Sequence, residues 1–515
     1  MNNTVLISAA HAQALDTEAS AAWGLHPFAL VEAAGRNCAK VFATAYPALF
    51  ERGAPRIVAL AGSGNNGADA MVMLRALLLQ GLADEAPSAS GAAINRFPQA
   101  DESNPRSEAL RSLDKMGATT CSWEAACHDA LERADIIIDG IAGTGLRGAL
   151  RGPAAELVAA LNAIKRRDGK KPFVVSIDVP SGTFDRWQAG MPILLADATL
   201  AIAPLKAALY KPLARPYAGT ILPVGEVFPQ KLMHKYADAE LLDWAAVKQR
   251  VPAIKPYAYK HERGVAELYA GAVGSAGAAR IAAQGALSAG AGLTRLIVDD
   301  ALYPILAADA GGVMVLPAHV AEAQATRFQS DALLLGPGWG TGADRLHTLE
   351  KALAREAAGT PLVLDADAIA LAKGRVFHGN AILTPHAGEF AAYTGLPKAA
   401  ALADPWDILT NTARETQATV LFKGHVLIIA APDGRVGVVD GMAPVLAAGG
   451  SGDLLAGICV ALAARAQRDG AFDGYTVAVA AAALLIDAAR SCRRAFIDPL
   501  DLAAVVAETA GTAWL

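Results

Sequence analysis

The stretch from Arg56 to Gln80 reads RIVALAGSGNNGADAMVMLRALLLQ, and it decides the fold of the first half of the chain. An apolar run at residues 56–61 leads into a glycine-rich turn, and the turn leads into a helical stretch at residues 70–80. Strand, glycine turn and helix in this order are typical of parallel α/β domains, which bind ligands beyond the carboxyl ends of their strands. We therefore expect a parallel sheet with a binding site at this turn.

Similar apolar runs recur along the chain and predict two such sheets. In the first half they occupy residues 134–139, 173–178 and 198–203; in the second half they occupy 265–269, 293–298, 332–335, 362–365 and 426–430. Helical stretches separate them, as parallel strands require. Residues 229–256 carry several charges and no strand-like run, so we place a linker there, and residues 84–105 are interpreted as a polar surface loop. The sequence therefore predicts two α/β domains, residues 1–237 and 238–515.

Composition limits the class of protein. The 515 residues are 53% apolar and 18% charged, which favours a fully folded chain. A net charge of −5 provides no general basic surface for nucleic acid or an anionic membrane. The longest uncharged stretches fall short of the roughly 18 residues of a membrane span, and the start of the chain lacks the features of a signal peptide. We expect a cytoplasmic protein with reduced, structural cysteines and only small-molecule partners, assembled as a homo-oligomer.

The glycine-rich turn continues as Asn65, Asn66, Gly67, Ala68 and Asp69. Free N–H groups at the start of a helix attract phosphate, and glycines permit a close approach of the ligand. The two side-chain amides could also provide oxygen ligands to a cation. Alternatively, the asparagines only accept a left-handed turn conformation.

Two later strand ends carry comparable loops. Residues 139–148 begin with Asp139 and could surround a diphosphate, with Arg147 as the counter-charge. The loop at residues 178–182 places the carboxylate of Asp178 at a strand end and the hydroxyl of Ser181 beside a turn. Asp178 could instead be a simple helix or turn cap.

In the second half the strongest motif is Gly449-Gly450-Ser451-Gly452-Asp453, followed by an apolar helix at residues 454–464. Successive N–H groups at that helix start would bind phosphate, and Asp453 would act as a general base toward a substrate hydroxyl. The alternative is an ordinary turn and helix cap. Further motifs lie upstream: the glycine-rich stretches 271–279 and 336–340, the acidic stretch 364–368, the stretch 383–389, and Lys423-Gly424.

Together these motifs resemble the family of bifunctional NAD(P)H-hydrate repair enzymes. Residues 1–230 resemble its epimerase domain, a Rossmann-like three-layer αβα sandwich, and residues 257–515 resemble its ribokinase-like αβα dehydratase domain. The resemblance implies epimerisation of the R and S hydrates of NADH and NADPH, followed by nucleotide-dependent dehydration of the S form to NAD(P)H. It also implies a potassium ion in the epimerase domain, a magnesium ion, and ADP or ATP as phosphoryl donor.

The resemblance implies roles for residues of the first domain. Asp178 would lie at the reacting ring and Lys206 would assist proton transfer, although a solvated lysine is the alternative. The implied potassium ligands are Asn66, Asp139 and Ser181. The implied contacts with the hydrated dinucleotide are Asn65, Asn66, Gly67, Ala68, Asp69, Gly143, Thr144, Gly145, Leu146, Arg147, Gly148 and Ala149.

The resemblance also implies roles for residues of the second domain. Asp453 would be catalytic, and Ala276, Gly338 and His386 would join it in contacting the hydrated cofactor. The implied nucleotide contacts are Lys423, Gly424, His425, Val426, Leu427 and Gly452. His386 could instead be a hydrogen-bonded histidine at a strand end. Asp365 and Glu389 could be capping residues or indirect magnesium partners.

Five positions depart from the family pattern, namely Ala68, Ala70, Ala370, Leu427 and Ala448. Two other functions therefore stay open. The second domain could be a small-molecule kinase of the same fold, whose product is a stable phosphate ester. The chain could also be a dinucleotide-binding protein that no longer turns over.

Overall fold

The computed structural model describes residues 4–51, 53–83, 93–96, 105–118, 120–122, 131–169, 171–324 and 329–514. It divides into two compact units, Thr4–Ala239 and Glu240–Leu515. Below we call them the N-unit and the C-unit. Each contains a largely parallel sheet with helices between successive strands, which confirms the predicted α/β class.

The N-unit contains a seven-stranded parallel sheet and a separate parallel pair. Its strands are β1 (Thr4–Ile7), β2 (Ile57–Ala61), β3 (Ala93–Arg96), β4 (Thr120–Ser122), β5 (Ile136–Gly140), β6 (Phe173–Ile177), β7 (Ala198–Ile202), β8 (Leu205–Lys206) and β9 (Thr220–Val224). The sheet order is β4-β3-β2-β5-β6-β7-β9, and β1 pairs with β8. Its helices are α1 (Ala9–Ala21), α2 (Pro27–Ala45), α3 (Asn65–Leu79), α4 (Pro105–Lys115), α5 (Gly152–Arg166) and α6 (Gln230–Lys235).

The two faces of this sheet are covered by different helices. Ile57 and Ala59 of β2 belong to one apolar cluster with residues of α2, α3 and α4. Val58 and Leu60 belong to another cluster with residues of α5. Because successive side chains of a strand point to opposite faces, β2 is apolar throughout and buried on both sides. The N-unit is therefore the three-layer αβα sandwich that the sequence predicts.

The C-unit contains a longer sheet that is parallel for most of its width. Its strands are β10 (Ala239–Leu241), β11 (Val265–Tyr269), β12 (Leu293–Val298), β13 (Val313–Pro317), β14 (Ala332–Leu335), β15 (Leu362–Leu364), β16 (Ala381–Leu383), β17 (Thr419–Phe422), β18 (Val426–Ala430) and β19 (Val436–Asp440). From β13 the order is β13-β12-β11-β14-β15-β16-β17-β18-β19, and β10 pairs with β19.

The helices of the C-unit fall into short connecting segments and long core helices. They are α7 (Trp244–Val247), α8 (Ala276–Ser288), α9 (Tyr303–Ala307), α10 (Ala318–Ala323), α11 (Ala343–Ala357), α12 (Asp367–Leu371), α13 (Ala387–Thr394), α14 (Lys398–Ala403), α15 (Pro405–Thr416), α16 (Ser451–Arg468), α17 (Gly474–Ser491) and α18 (Pro499–Trp514). On length and composition α17 could cross a membrane, but 78% of it is buried in the protein, as in a core helix.

The expected linker, residues 229–256, includes the boundary between the two units after Ala239. It also contains β10 and the short helices α6 and α7, whose few residues give no recognisable period. Two other local expectations were wrong. Strand β18 pairs antiparallel with both β17 and β19, because short hairpin loops join these three strands and leave no room for a crossover helix. The expected loop at residues 84–105 contains β3 and ends where α4 begins; its other positions lie outside the described residues.

Helices α8 and α16 cross at very short distance in the core of the C-unit. A Cβ atom at Gly457 would lie 2.0 Å from the carbonyl oxygen of Ala282, and one at Gly285 would lie 2.5 Å from the carbonyl oxygen of Leu454. Only glycine allows these backbones to approach so closely. The crossing fixes the start of α16, where the glycine-rich motif lies.

We expect Gly457→Ala to lower the free energy of unfolding of the C-unit by about 1–3 kcal/mol, because the added methyl group overpacks the helix crossing. Urea unfolding followed by circular dichroism measures the change. Gly511→Ala in α18 is the matched control, since a Cβ atom there meets nothing within 4 Å. That control should be neutral or slightly stabilising, by up to about 1 kcal/mol. Equal stability of the two variants would contradict the packing argument.

Candidate active sites

A cavity of about 700 Å³ opens at the carboxyl ends of the N-unit strands. It brings together most of the predicted site residues of this unit, which come from the start of α3, from the loops after β5 and β6, and from β8. Those that line it are Asn65, Asn66, Asp69, Gly143, Thr144, Gly145, Leu146, Arg147, Asp178 and Lys206. The predicted contacts Gly67, Ala68, Gly148 and Ala149 lie outside this lining.

The double-asparagine motif forms the first turn of α3 and not a loop before it. Helix α3 begins at Asn65, five residues earlier than the sequence predicts. Gly67 explains the tight turn, since a Cβ atom there would lie 2.3 Å from the carbonyl oxygen of Gly62. Ala68 and Ala70 are completely buried in the apolar cluster beneath the sheet. Their methyl groups therefore do not narrow the cavity.

A buried ion pair lies at the base of the cavity. Lys206 Nζ is 2.7 Å from Asp178 Oδ1 and also donates to the carbonyl oxygen of Ile202 at 2.9 Å. Their side chains are only 8% and 9% exposed, so the alternative of a solvated lysine is wrong. Asp178 has a φ of 63°, a left-handed conformation that non-glycine residues seldom adopt. Such strain tends to occur at functional sites.

Asp139 and Ser181 contact each other beside the cavity. Asp139 is fully buried and accepts hydrogen bonds from the backbone N–H groups of Ile141 and Ser181 and from the hydroxyls of Ser176 and Ser181. All four donors are neutral, and burial raises the pKa of this carboxyl. A monovalent cation near the carboxylate would compensate its charge.

Asn66, the third predicted ligand, reaches the same strand edge. A Cβ atom on Gly143 would lie 3.3 Å from Asn66 Oδ1, so the amide rests against the loop that follows Asp139. Within the described part of the chain, Asn66 Nδ2 is buried without a hydrogen-bond partner. Asn66, Asp139 and Ser181 thus each carry a side-chain oxygen near the carboxyl ends of β2, β5 and β6.

The C-unit site forms at the carboxyl ends of β15, β16 and β17. Asp365 follows β15, and its carboxylate accepts a hydrogen bond from the Thr384 hydroxyl after β16 at 2.7 Å. The same carboxylate forms an ion pair with Lys423 after β17, at 2.5 Å. Glu389 Oε2 lies 3.9 Å from the Lys423 ammonium. One lysine thus neutralises part of a cluster of acidic side chains.

The start of α16 brings Asp453 to this cluster. The pKa of Asp453 is raised to about 6, mainly by burial and also by Asp365 and Glu389, while Lys423 opposes the shift. A Cβ atom on Gly452 would lie 3.2 Å from Lys423 Nζ, so the glycine makes room for the ammonium. Asp453 therefore has a pKa close to neutral pH, which suits a general base.

Burial lowers the pKa of the Lys423 ammonium, but Asp365 and Glu389 outweigh that effect, and the net shift is upward. The ammonium therefore stays charged at neutral pH. It can act as a fixed positive charge beside Asp453 and the glycine-rich turn. A phosphoryl group that is being transferred carries negative charge, and a fixed positive charge close by stabilises it.

His386 is the N-cap of α13. Its Nδ1 atom accepts the backbone N–H groups of Gly388 and Glu389, and the Glu389 carboxylate accepts the His386 N–H, which completes a capping box. The side chain is nevertheless 59% exposed. His386 is thus a hydrogen-bonded histidine at a strand end, as the alternative states, and its exposed ring still has access to a ligand.

The other predicted contacts of the C-unit differ in accessibility. Ala276 is the first residue of α8, and Gly338 packs against that helix start, where its Cβ atom would lie 2.7 Å from Ser275 Cβ. By contrast, Val426 and Leu427 are 0% and 4% exposed, in β18. These two side chains belong to the core, so a nucleotide could meet only their backbone.

Comparison with known proteins gives a consistent result along the chain. A family model described as YjeF-related protein N-terminus matches residues 27–208, and one described as NAD(P)H-hydrate dehydratase matches residues 266–504. A bifunctional NAD(P)H-hydrate repair enzyme from Salinibacter ruber is 31% identical over 500 residues, covering 89% of this chain and 88% of the relative. The chain belongs to the family of bifunctional NAD(P)H-hydrate repair enzymes.

A second member of the family and a solved structure are also similar. The bifunctional NAD(P)H-hydrate repair enzyme of Moorella thermoacetica is 31% identical over 491 residues, covering 90% of this chain and 89% of the relative. The crystal structure of the ADP/ATP-dependent NAD(P)H-hydrate dehydratase of Bacillus subtilis, co-crystallised with ATP and Mg²⁺, is 22% identical. It covers 52% of this chain and 97% of that chain, with a TM-score of 0.46.

Sequence reasoning missed several members of the two sites in this repair-family chain. Asp16 and Ser63 line the N-unit cavity, and Thr384 supports Asp365 in the C-unit. Asp16 gives no sequence signal, because it lies in an alanine-rich helix, two residues before a second acid, Glu18, and belongs to no motif. Thr384 could have been found from its position directly after a strand, between the motifs that contain Asp365 and His386.

Proposed function

We propose that the chain repairs hydrated NADH and NADPH by two activities, an epimerase in residues 1–237 and a nucleotide-dependent dehydratase in residues 238–515. The observation that carries the proposal is the position of Asp453, at the start of an 18-residue helix, beside Lys423 and a glycine-rich turn. That arrangement supports phosphoryl transfer to a hydroxyl group. Family membership supports the choice of substrate.

In the C-unit, Asp453 accepts the proton of the ring hydroxyl. The hydroxyl oxygen then attacks the terminal phosphorus of ADP or ATP, and the bond from that phosphorus to the nucleotide breaks. The N–H groups at the start of α16 and the Lys423 ammonium stabilise the negative charge on the transferring group. The ring nitrogen next expels phosphate, a far better leaving group than hydroxide, and the neighbouring ring carbon loses a proton. The products are NAD(P)H, phosphate and the shortened nucleotide.

In the N-unit, the cavity holds the hydrated ring beside the Asp178–Lys206 pair, while the start of α3 and the loop containing Arg147 bind the diphosphate. The epimerase converts the R hydrate to the S hydrate, the form that the dehydratase consumes. With both activities on one chain, the R hydrate and the S hydrate can both be converted to NAD(P)H.

Metal ions complete the proposal. Asn66, Asp139 and Ser181 would hold potassium, since a fully buried carboxylate with four neutral donors gains from a nearby cation. Among the described residues no group of three or more His, Cys, Asp or Glu side chains is arranged to hold a metal. Magnesium would therefore enter with the nucleotide, bound mainly by phosphate oxygens and water, as this ion prefers.

The test follows the near-ultraviolet absorbance of the dihydronicotinamide ring. A mixture of both hydrates with ADP or ATP, magnesium and potassium should be converted completely, whereas without potassium the R hydrate should remain. Separation of the epimers by chromatography reports each activity on its own. Absence of recovery with either nucleotide would overturn the proposal, and a persistent phosphorylated product without free phosphate would establish a kinase instead.

The dehydration rate should depend on pH through Asp453. The base must be ionised to accept a proton, and its pKa is about 6. Below that pH we expect kcat to rise about tenfold per pH unit, and above it to level off. Initial rates with saturating substrate and nucleotide between pH 5 and 8 measure the profile. A rate that falls with rising pH would contradict the assignment of Asp453 as base.

A further inference from the structure

Asp16 belongs to the same cavity as the proposed epimerase residues. It lies on α1, upstream of residue 27, where the family match begins. Asp16 lines the cavity together with the charged residues Asp69, Arg147, Asp178 and Lys206. A substrate ring in the cavity would therefore lie near Asp16 as well as Asp178.

The acidic groups of the cavity differ in their surroundings. Asp178 is buried against the Lys206 ammonium, with 2.7 Å between Lys206 Nζ and Asp178 Oδ1. Asp69 is only 6% exposed, with Oδ1 buried and without a hydrogen-bond partner among the described residues, and its pKa is raised well above the usual value by burial. Asp16 is the accessible acid without such an ion pair in the described part of the chain.

The electrostatics of Asp16 agree with this arrangement. The pKa of Asp16 is raised to about 6, mainly by desolvation and also by Asp178, while Lys206 opposes the shift. Below about pH 6 the Asp16 side chain is therefore a carboxylic acid that can give up a proton. A carboxyl group with a raised pKa is typical of a general acid.

We propose that Asp16 is a second catalytic residue of the epimerase site, an acid that acts together with the Asp178–Lys206 pair. This inference rests on the proposed epimerase function. It adds a residue from α1 to a site otherwise built from the start of α3, strand-end loops and β8.

The two groups permit a balanced reaction without any further reactant. The Asp178 carboxylate takes the proton of the ring hydroxyl, the carbon–oxygen bond becomes a carbonyl, and the bond from that carbon to the ring nitrogen breaks. Asp16 gives its proton to the nitrogen that carries the released electron pair. Rotation of the free aldehyde and closure on its other face reverse both proton transfers. The hydrate is inverted, and both side chains recover their starting states.

The experiment compares Asp16→Asn with the wild-type chain on purified R hydrate, with the epimers separated by chromatography. We expect kcat for epimerisation to fall by about 100-fold or more, the usual range for a proton-transfer group, while KM changes little. In the wild type kcat should decline as Asp16 ionises at higher pH, and this decline should be absent from the variant. Glu51→Gln, which changes an exposed carboxylate outside the cavity, is the control and should match the wild type.

Three outcomes separate the possibilities. Dehydration of purified S hydrate by the same Asp16→Asn preparation should stay at the wild-type rate, and this reports an intact chain. An unchanged epimerisation rate, or a lower rate with an unchanged pH profile, would overturn the role of Asp16. A wild-type chain that fails to epimerise would overturn the proposed function as well, so the two failures are distinguishable.

Discussion

Replacing Asp453 by asparagine should abolish dehydration and leave epimerisation intact. Asparagine keeps the size of the side chain but cannot accept the hydroxyl proton, so we expect kcat for dehydration to fall by 10²–10⁴-fold, the range for loss of a general base. Because phosphate contacts come from the backbone at the start of α16, the KM for nucleotide should change little. Recovery of dihydronicotinamide absorbance from purified S hydrate measures the effect.

The matched control for this variant is Asp487→Asn. Asp487 is an exposed carboxylate on α17, and its replacement should leave both activities unchanged. Epimerisation by Asp453→Asn provides an internal control in the N-unit. A variant that retains more than about one tenth of the wild-type rate would contradict the role of Asp453, since a positioned base contributes at least 10²-fold.

The second large effect concerns Lys206. We expect Lys206→Met to lower the free energy of unfolding of the N-unit by about 3–5 kcal/mol, because the Asp178 carboxylate then stays buried without its partner. Epimerisation should be lost as well. Urea unfolding and the conversion of R hydrate to S hydrate measure the two effects separately.

A double variant separates stability from catalysis. Asp178→Asn combined with Lys206→Met removes both charges, so most of the lost stability should return while the epimerase stays inactive. Lys231→Met on the surface helix α6 is the control and should change stability by less than about 0.5 kcal/mol. If Lys206→Met were as stable as Lys231→Met, the buried Asp178–Lys206 pair would not contribute to the stability of the N-unit.

The strand-end motifs were the part of the molecule that could be predicted from sequence. Residues after β2, β5 and β6 share one cavity, and residues after β15, β16 and β17 share one cluster, because parallel strands place their carboxyl ends at the same edge. Leu427 illustrates the limit of the prediction. Its position in the motif suggested a nucleotide contact, but β18 is buried along its whole length and the Leu427 side chain lies in the core.

Other features of the fold and of the candidate sites could not be predicted from sequence, because they depend on tertiary packing. Strand β10 has only three residues, too few to show a period. Helix α3 starts early because Gly67 packs against Gly62, a contact that no local pattern reveals. Asp16 enters the site only because α1 lies beside the strand ends, and the pairing of Asp178 with Lys206 likewise depends on the fold.

The most direct test of the central claim is a crystal structure with an ATP analogue and magnesium. We predict that the terminal phosphate lies against the N–H groups at Gly450, Ser451 and Gly452, with the Asp453 carboxylate facing the space next to that phosphate. Phosphates bound elsewhere, or a carboxylate turned away from an occupied site, would contradict it.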